Sequence, residues 1–180
     1  ALRMQWQTHV QAKGVLHGGR AQYMLILISG KLIGFLNIYA PNSATGRIHL
    51  WNMLLQDLPV AQHWYMCGDW NMMESPTNSL GGSSISISGS ELREREKLMF
   101  KYEVTDLWHI PTFSRMHYSL LYPRSNQRSI ALNLSRIDRF YVDSLFWDRG
   151  GYVGIVFGTS FSDHAPVLLK FYMDSHNFVS

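Results

Sequence analysis

Residues 21–29 and 32–39 are two apolar, β-branched and aromatic runs on either side of Gly30-Lys31. That pattern predicts a β-hairpin, because Gly supplies the positive φ that a tight turn demands. Pro41 ends the second run. Beyond Gly46 the apolar period changes from two to about 3.6. Trp51, Leu54, Leu55 and Leu58 stand at i, i+3, i+4 and i+7, one face of a helix that Pro59 stops. A paired strand unit followed at once by an amphipathic helix excludes an all-β or all-α chain and points to α/β.

The rest of the chain continues that mixture. Residues 62–67 predict a buried strand running into Gly68-Asp69-Trp70-Asn71. Residues 73–90 read as a polar loop, with Gly81-Gly82 inside it. Ser88 and Glu91 have capping-box spacing, which predicts a helix from there to about Tyr102. Strands are expected over 116–122, 136–143, 152–157 and 166–172, with a polar loop over 123–133. Residues 1–20 read as an irregular or weakly paired opening segment. The interleaving of hairpin-like and crossover-like connections favours mixed sheets over a purely parallel one. No internal repeat divides the 180 residues, a length that suits one domain.

Composition excludes several classes. Apolar residues make up 46% and charged residues 16%, the balance of a folding chain. The single cysteine, Cys67, excludes a disulfide framework or a cysteine-based zinc cluster. The longest unbroken apolar run is residues 23–28, against the roughly 18 that a helical membrane span needs. No membrane partner is therefore expected, and no charged-then-apolar leader opens the chain. The first residue is not Met, so a processed product or a fragment is expected.

The +3 charge is unevenly spread. Residues 1–56 hold Arg3, Lys13, Arg20, Lys31 and Arg47 and no carboxylate; the first acid is Asp57. A basic half favours a polyanion such as nucleic acid. Five cations scattered over that length also fit an ordinary surface.

Four segments place polar residues at strand ends, where scaffolds present chemistry. They are Asn37-Ile38-Tyr39-Ala40-Pro41-Asn42, Gly68-Asp69-Trp70-Asn71, Ser135-Arg136-Ile137-Asp138-Arg139 and Ser162-Asp163-His164. On an extended backbone Asp69 and Asn71 point to the same side. Asp69 can accept a proton from water and Asn71 can donate to a phosphate oxygen. The same residues also satisfy an Asx-turn. His164 can exchange or stabilise a proton at neutral pH. Asp138, flanked by Arg136 and Arg139, reads either as a cross-strand ion pair or as the carboxylate that orients His164. Tyr39 reads as a core aromatic or as a hydroxyl offered to phosphate, and for a lone Tyr the core is the more common place. The other seven His have no zinc-ligand spacing.

The order and spacing of these segments, with Asp106-Leu107-Trp108 between the second and third, resemble the endonuclease/exonuclease/phosphatase superfamily, the DNase I-like proteins. They look most like the endonuclease domain of LINE-type non-LTR retrotransposon proteins. The resemblance runs from about Gly19 to about Tyr172. It implies an α/β layered sandwich of two mixed β-sheets packed face to face and flanked by helices. It also implies metal-assisted hydrolysis of DNA phosphodiesters with Mg²⁺ or Mn²⁺. Carried over residue by residue, Asp69 would position or deprotonate the attacking water. Asn71 and Tyr39 would hold phosphate oxygens, with Asn42 and Arg136 beside them on the DNA. His164 would stabilise the transition state or move a proton, Asp138 would fix its imidazole, and Asp163 would help bind the metal.

The chain departs from the family at its front. The family opens with a strand carrying an Asn and a Gln-Glu segment that holds the principal metal-binding Glu. With no acid before Asp57, no residue of the first 56 can replace that Glu. A domain lacking its first strand or strands is therefore expected, with an exposed sheet edge, lowered solubility and weak or no activity. Trp70 stands where Phe is usual, and His109 where Arg is common. The alternative reading is a non-catalytic retroelement remnant that at most binds nucleic acid. Phosphoinositide, sphingomyelin and poly(A) substrates belong to the same superfamily, but Asn37–Asn42 and Ser135–Arg139 lean to the retroelement group. That group implies a monomer acting in the nucleus, with a reverse transcriptase domain downstream in the parent polyprotein.

Overall fold

The computed structural model describes residues 7–73, 79–80, 87–107, 120–126, 129–135, 137–143, 152–155, 164 and 167–170. A six-stranded mixed sheet organises them, in the order β1-β2-β3-β4-β9-β6. Its strands are β1 (Val10–Leu16), β2 (Ala21–Ile28), β3 (Lys31–Tyr39), β4 (His63–Asp69), β6 (Val104–Asp106) and β9 (Asp138–Asp143). β3 and β4 are parallel; every other neighbouring pair is antiparallel.

The hairpin predicted from the apolar runs is β2–β3, but its turn is Ser29-Gly30, with Ile28 facing Lys31. Both turn residues have positive φ (48° and 76°), as a two-residue turn matched to strand twist requires. Of the irregular or weakly paired opening expected over 1–20, the irregular part is corrected: Val10–Leu16 forms edge strand β1, paired along its length with β2. Its alternation of half-buried and exposed residues is a one-sided strand pattern, and the mixed composition hid it.

Parallel pairing of β3 and β4 needs a crossover, supplied by helix α1 (Ala44–Asp57). The Ser43 side chain caps it by accepting the Gly46 N–H at 3.2 Å. The expected second helix is α2 (Gly89–Lys101), capped by Ser88. Both helices cover one face of the sheet. There Leu50, Trp51 and Leu54 of α1 and Leu98 of α2 pack with Leu36, Ile38, Trp64, Met66 and Tyr141. Full burial of Leu36, Ile38, Leu50 and Leu54 stabilises the layer by roughly 1.5–3 kcal/mol each.

The opposite face carries a second core of Ile26, Ile28, Ile33, Tyr65, Leu107 and Val142. Val167 and Leu169 of β11 (Val167–Lys170) pack on it, and β11 pairs with β10 (Tyr152–Ile155). A third sheet, β5-β8-β7, joins Ser79–Leu80, Ser129–Ser135 and Leu120–Asn126. The loop expected over 123–133 is therefore corrected to most of a hairpin. Its polar residues hid the pairing, and Pro123 is tolerated because β7 is an edge strand. Of the loop expected over 73–90, residues 74–78 and 81–86 lie outside the described residues, and Ser79–Leu80 is strand β5.

Candidate active site

The ends of β3, β4 and β9 meet in one row. Parallel register sets Tyr39 beside Asp69, and antiparallel register sets Asp69 beside Asp138. Residues directly opposed on neighbouring strands share a face, so the three side chains emerge together. The row continues to Arg20, whose carbonyl accepts the Tyr39 N–H at 2.8 Å. Ala40 N–H donates to the Asp69 carbonyl at 2.8 Å, and Trp70 N–H to the Ile137 carbonyl at 2.9 Å.

Gly68 sets up this end of β4. Its φ of 127° is open to glycine, and a Cβ there would lie 2.0 Å from the Ile38 carbonyl oxygen. Trp70 then points into the core, 5.0 Å from Trp51 and 4.3 Å from Tyr141 between ring centroids. The large aromatic at this position thus anchors the turn that carries Asp69 and Asn71.

Asp69 and Asn71 come together through a turn rather than by strand alternation. Asn71 has φ 49°, and its N–H donates to Asp69 Oδ1 at 2.9 Å. This is the Asx-turn reading, and Asn is among the residues that tolerate the left-handed region. Asn71 Nδ2 donates to the Ala40 carbonyl at 2.7 Å, which ties the β4 end to the β3 end. Burial lifts the Asp69 carboxyl above its ordinary value. The Asn71 N–H opposes this, the Asp138 charge adds to it, and His164 offsets part.

His164 Nδ1 lies 2.9 Å from Asp138 Oδ2, with the imidazole about a third exposed. Asp138 thus meets the imidazole of His164 at hydrogen-bond distance. Arg139, the neighbour of Asp138, makes a buried cross-strand ion pair with Asp106. Tyr39 departs from the core expectation: it is 55% exposed, and the Arg20 guanidinium stacks over its ring at 4.9 Å. Asn42 is exposed, and its carbonyl accepts from Arg47 Nη1 at 2.6 Å. Arg136 and Asp163 lie outside the described residues.

Two parts of the site were missed in the sequence. Arg20 extends the row, and the acid-free first 56 residues were the available signal. Arg47 is buried in an ion pair with Glu91, its Nη2 3.2 Å from Glu91 Oε2, while its Nη1 holds the Pro41 and Asn42 carbonyls. No local pattern joins residues 44 positions apart. The capping-box spacing pointed to Glu91 for a different partner: Ser88 Oγ accepts the Glu91 N–H, but the Glu91 carboxylate goes to Arg47.

Among the described residues, no group of three or more His, Cys, Asp and Glu side chains is placed to hold a metal ion. Asp69 and Asp138 supply adjacent oxygen donors, but Asp138 is committed to His164, so these residues alone do not fit a metal centre.

No protein-family model and no curated protein sequence matches the chain. Solved structures do. The AP endonuclease of Archaeoglobus fulgidus superposes with TM-score 0.64 at 16% identity, covering 91% of this chain and 72% of that one. The 3′ phosphatase NExo of Neisseria, solved with a product DNA hairpin, gives TM-score 0.60 at 16% identity over the same shares. The endonuclease domain of TRAS1, a telomere-specific non-LTR retrotransposon, gives TM-score 0.57 at 11% identity, covering 86% of this chain and 64% of that one. The chain thus spans under two thirds of the retrotransposon domain and somewhat more of the other two. At these identities the likeness speaks to architecture alone: the chain has the layered α/β fold of these solved structures.

Proposed function

We propose that this chain is the greater part of a phosphodiester hydrolase acting on DNA, of the LINE-type endonuclease group. The observation that carries the reading is the Asp138–His164 pair at 2.9 Å beside Asp69, on the row that also presents Tyr39. A carboxylate-oriented imidazole next to a second carboxylate is a base and acid held side by side.

In this mechanism Asp69 takes the proton of the attacking water. The water oxygen forms a new bond to phosphorus, and the bond from phosphorus to the leaving sugar oxygen breaks. Protonated His164 gives its proton to that oxygen. Asp138, on Nδ1, fixes the ring and stabilises the imidazolium, leaving Nε2 as the proton-carrying nitrogen. Burial raises the Asp69 pKa, which makes it a stronger base than an ordinary aspartate. The Tyr39 hydroxyl and the second amide hydrogen of Asn71 are the donors for the phosphate oxygens, with Asn42 and Arg136 along the DNA. Mg²⁺ or Mn²⁺ is the cofactor that the resemblance implies, with Asp163 toward it. No step above is routed through it, because the described side chains do not assemble its site.

Nicking of supercoiled plasmid with Mg²⁺ tests the reading. This chain is compared with a form extended upstream and with that form carrying Asp138→Asn. Nicking by the extended form, reduced about 100-fold or more by Asp138→Asn, is the expected result. An extended form that nicks nothing sinks the proposal. The second reading, a remnant that binds nucleic acid without cutting it, draws on the acid-free first 56 residues. It predicts binding without nicking in both forms.

A further inference from the structure

Behind the row, on the helix face of the sheet, runs a chain of buried contacts that the hydrolytic step does not use. Trp70 stands between Asp69 and Asn71, so its indole is fixed to the turn that carries both. Two rings hold that indole: Trp51 of α1 at 5.0 Å and Tyr141 of β9 at 4.3 Å between centroids. All three aromatics are buried. Tyr141 is held in its turn through its hydroxyl. Arg95 of α2, itself buried, donates from Nη1 to the Tyr141 hydroxyl oxygen at 3.2 Å. Arg139 reaches the same hydroxyl from its own strand and is paired with Asp106.

Shape alone lets a ring slide within an apolar layer. A hydrogen bond from a guanidinium is directional and stronger than one between neutral groups. Burial pushes the Tyr141 hydroxyl up to about 12, so it accepts from Arg95 as a neutral group. Breaking that bond leaves a buried donor unmet, which ties ring and guanidinium together. Arg95 also lies four residues, about one helical turn, after Glu91, so the two share a face of α2. Glu91 holds Arg47, which holds the Pro41 and Asn42 carbonyls after β3. The same face of α2 therefore reaches the loop after β3 through Arg47 and the turn after β4 through Tyr141 and Trp70.

We propose that Arg95 is a positioning residue for the Asp69–Asn71 turn, acting from the far side of the sheet through the Tyr141 ring and the Trp70 indole. The inference rests on the nuclease reading for the purpose of that turn, and deepens it.

Amide hydrogen exchange followed by NMR on the whole chain tests the proposal. The probe is the Asn71 N–H, which donates to Asp69 Oδ1 and reports closure of the turn. It is read against the N–H of Leu36, within central strand β3, which reports opening of the sheet. Arg95→Met keeps an apolar stem and loses the donor. It is expected to speed Asn71 exchange about tenfold or more relative to Leu36. Arg95→Lys returns a charged donor and should recover most of that change. Leu98→Ala opens a cavity on the same helix, and should lower Tm while leaving the ratio where it was. Tyr141→Phe keeps the ring and removes the acceptor. It should loosen the turn as well, and adding Arg95→Met to it should loosen the turn no further, because both act through one bond. If Arg95→Met does not fold, Arg95→Gln takes its place with the same expectation. Asn71 and Leu36 amides that speed together in the Arg95 variant overturn the proposal, since Arg95 is then merely structural. Additive effects in the double variant overturn it too, since Arg95 then does not act through Tyr141. In nicking by the upstream-extended form, Arg95→Met should lower kcat about tenfold or more with KM little changed. An unchanged kcat beside a loosened turn overturns the positioning role. An extended form that nicks nothing defeats the nuclease reading instead, and the exchange ratio still decides whether Arg95 holds the turn.

Discussion

At the residue scale, Gly68 and Asp69 show how backbone and charge are set together. Gly68 turns β4 at a φ that other residues avoid, with the Ile38 carbonyl where a side chain would begin. Gly68→Ala is expected to cost about 3 kcal/mol or more, from strain plus a backbone clash that no rotamer relieves. Urea unfolding measures it, and an unchanged midpoint would contradict the geometry. Asp69 carries a carboxyl raised above its ordinary value, chiefly by burial. Between the unfolded and the raised folded pKa, the folded chain keeps a proton that the unfolded chain has lost. Stability attributable to Asp69 therefore falls as pH rises through that window and stays lower above it. Asp69→Asn should accordingly raise Tm at pH 7 and show no such gain below the ordinary aspartate pKa. Tm measured against pH for both proteins decides this. The same shift places the acid limb of nicking activity, when measured, above the ordinary aspartate range. Asp69 and His164 were legible as candidates from residue type and strand-end position. That Asp69 stands directly beside Asp138, the partner of His164, was not, because it depends on which strands become neighbours.

At the element scale, the β3–α1–β4 crossover and the β2–β3 hairpin bring the site together. The hairpin was legible because turn chemistry and apolar alternation are local. The helix was legible because its apolar residues recur at one period. What holds the loop between β3 and α1 was not: Arg47 of α1 reaches the Pro41 and Asn42 carbonyls while its charge is met by Glu91 of α2. Both side chains are buried. Glu91→Ala strands a buried guanidinium, and a loss of roughly 3–5 kcal/mol is expected by chemical denaturation. Arg47→Met with Glu91→Leu removes both charges and should recover most of that loss. The double variant also frees the Asn42 loop, so recovered stability with weakened DNA binding would separate the pair's two roles. A double variant as unstable as the single would show that the carbonyl contacts, not the charge pair, carry the stability. The regular pairing of β1, the second half of β7 and most of β8 escaped the sequence because polar residues dilute the alternation that marks a strand.

At the scale of the whole molecule, two layers flank the six-stranded sheet: helices on one face and the β10–β11 pair on the other. His164 precedes β11, so docking of that pair on the Ile33–Tyr65–Val142 core brings the imidazole to Asp138. The cofactor expectation belongs to this scale, since it depends on the complete site. EDTA should abolish nicking by an upstream-extended form, and added Mg²⁺ or Mn²⁺ should restore it. Nicking that survives EDTA would remove the metal from the reading. The sequence by itself determined the class of fold, the central hairpin, the two helices and the cap of the second, and it singled out Tyr39, Asp69, Asn71, Asp138 and His164 as candidates, because periodicity, turn chemistry and residue type are local properties. Only the tertiary structure decided that Tyr39 is exposed under Arg20, that Asp138 stands beside Asp69, that Arg139 pairs with Asp106, and that Glu91 pairs with Arg47. Those choices follow from strand order, register and helix packing, which pair residues tens of positions apart and leave no mark at short range.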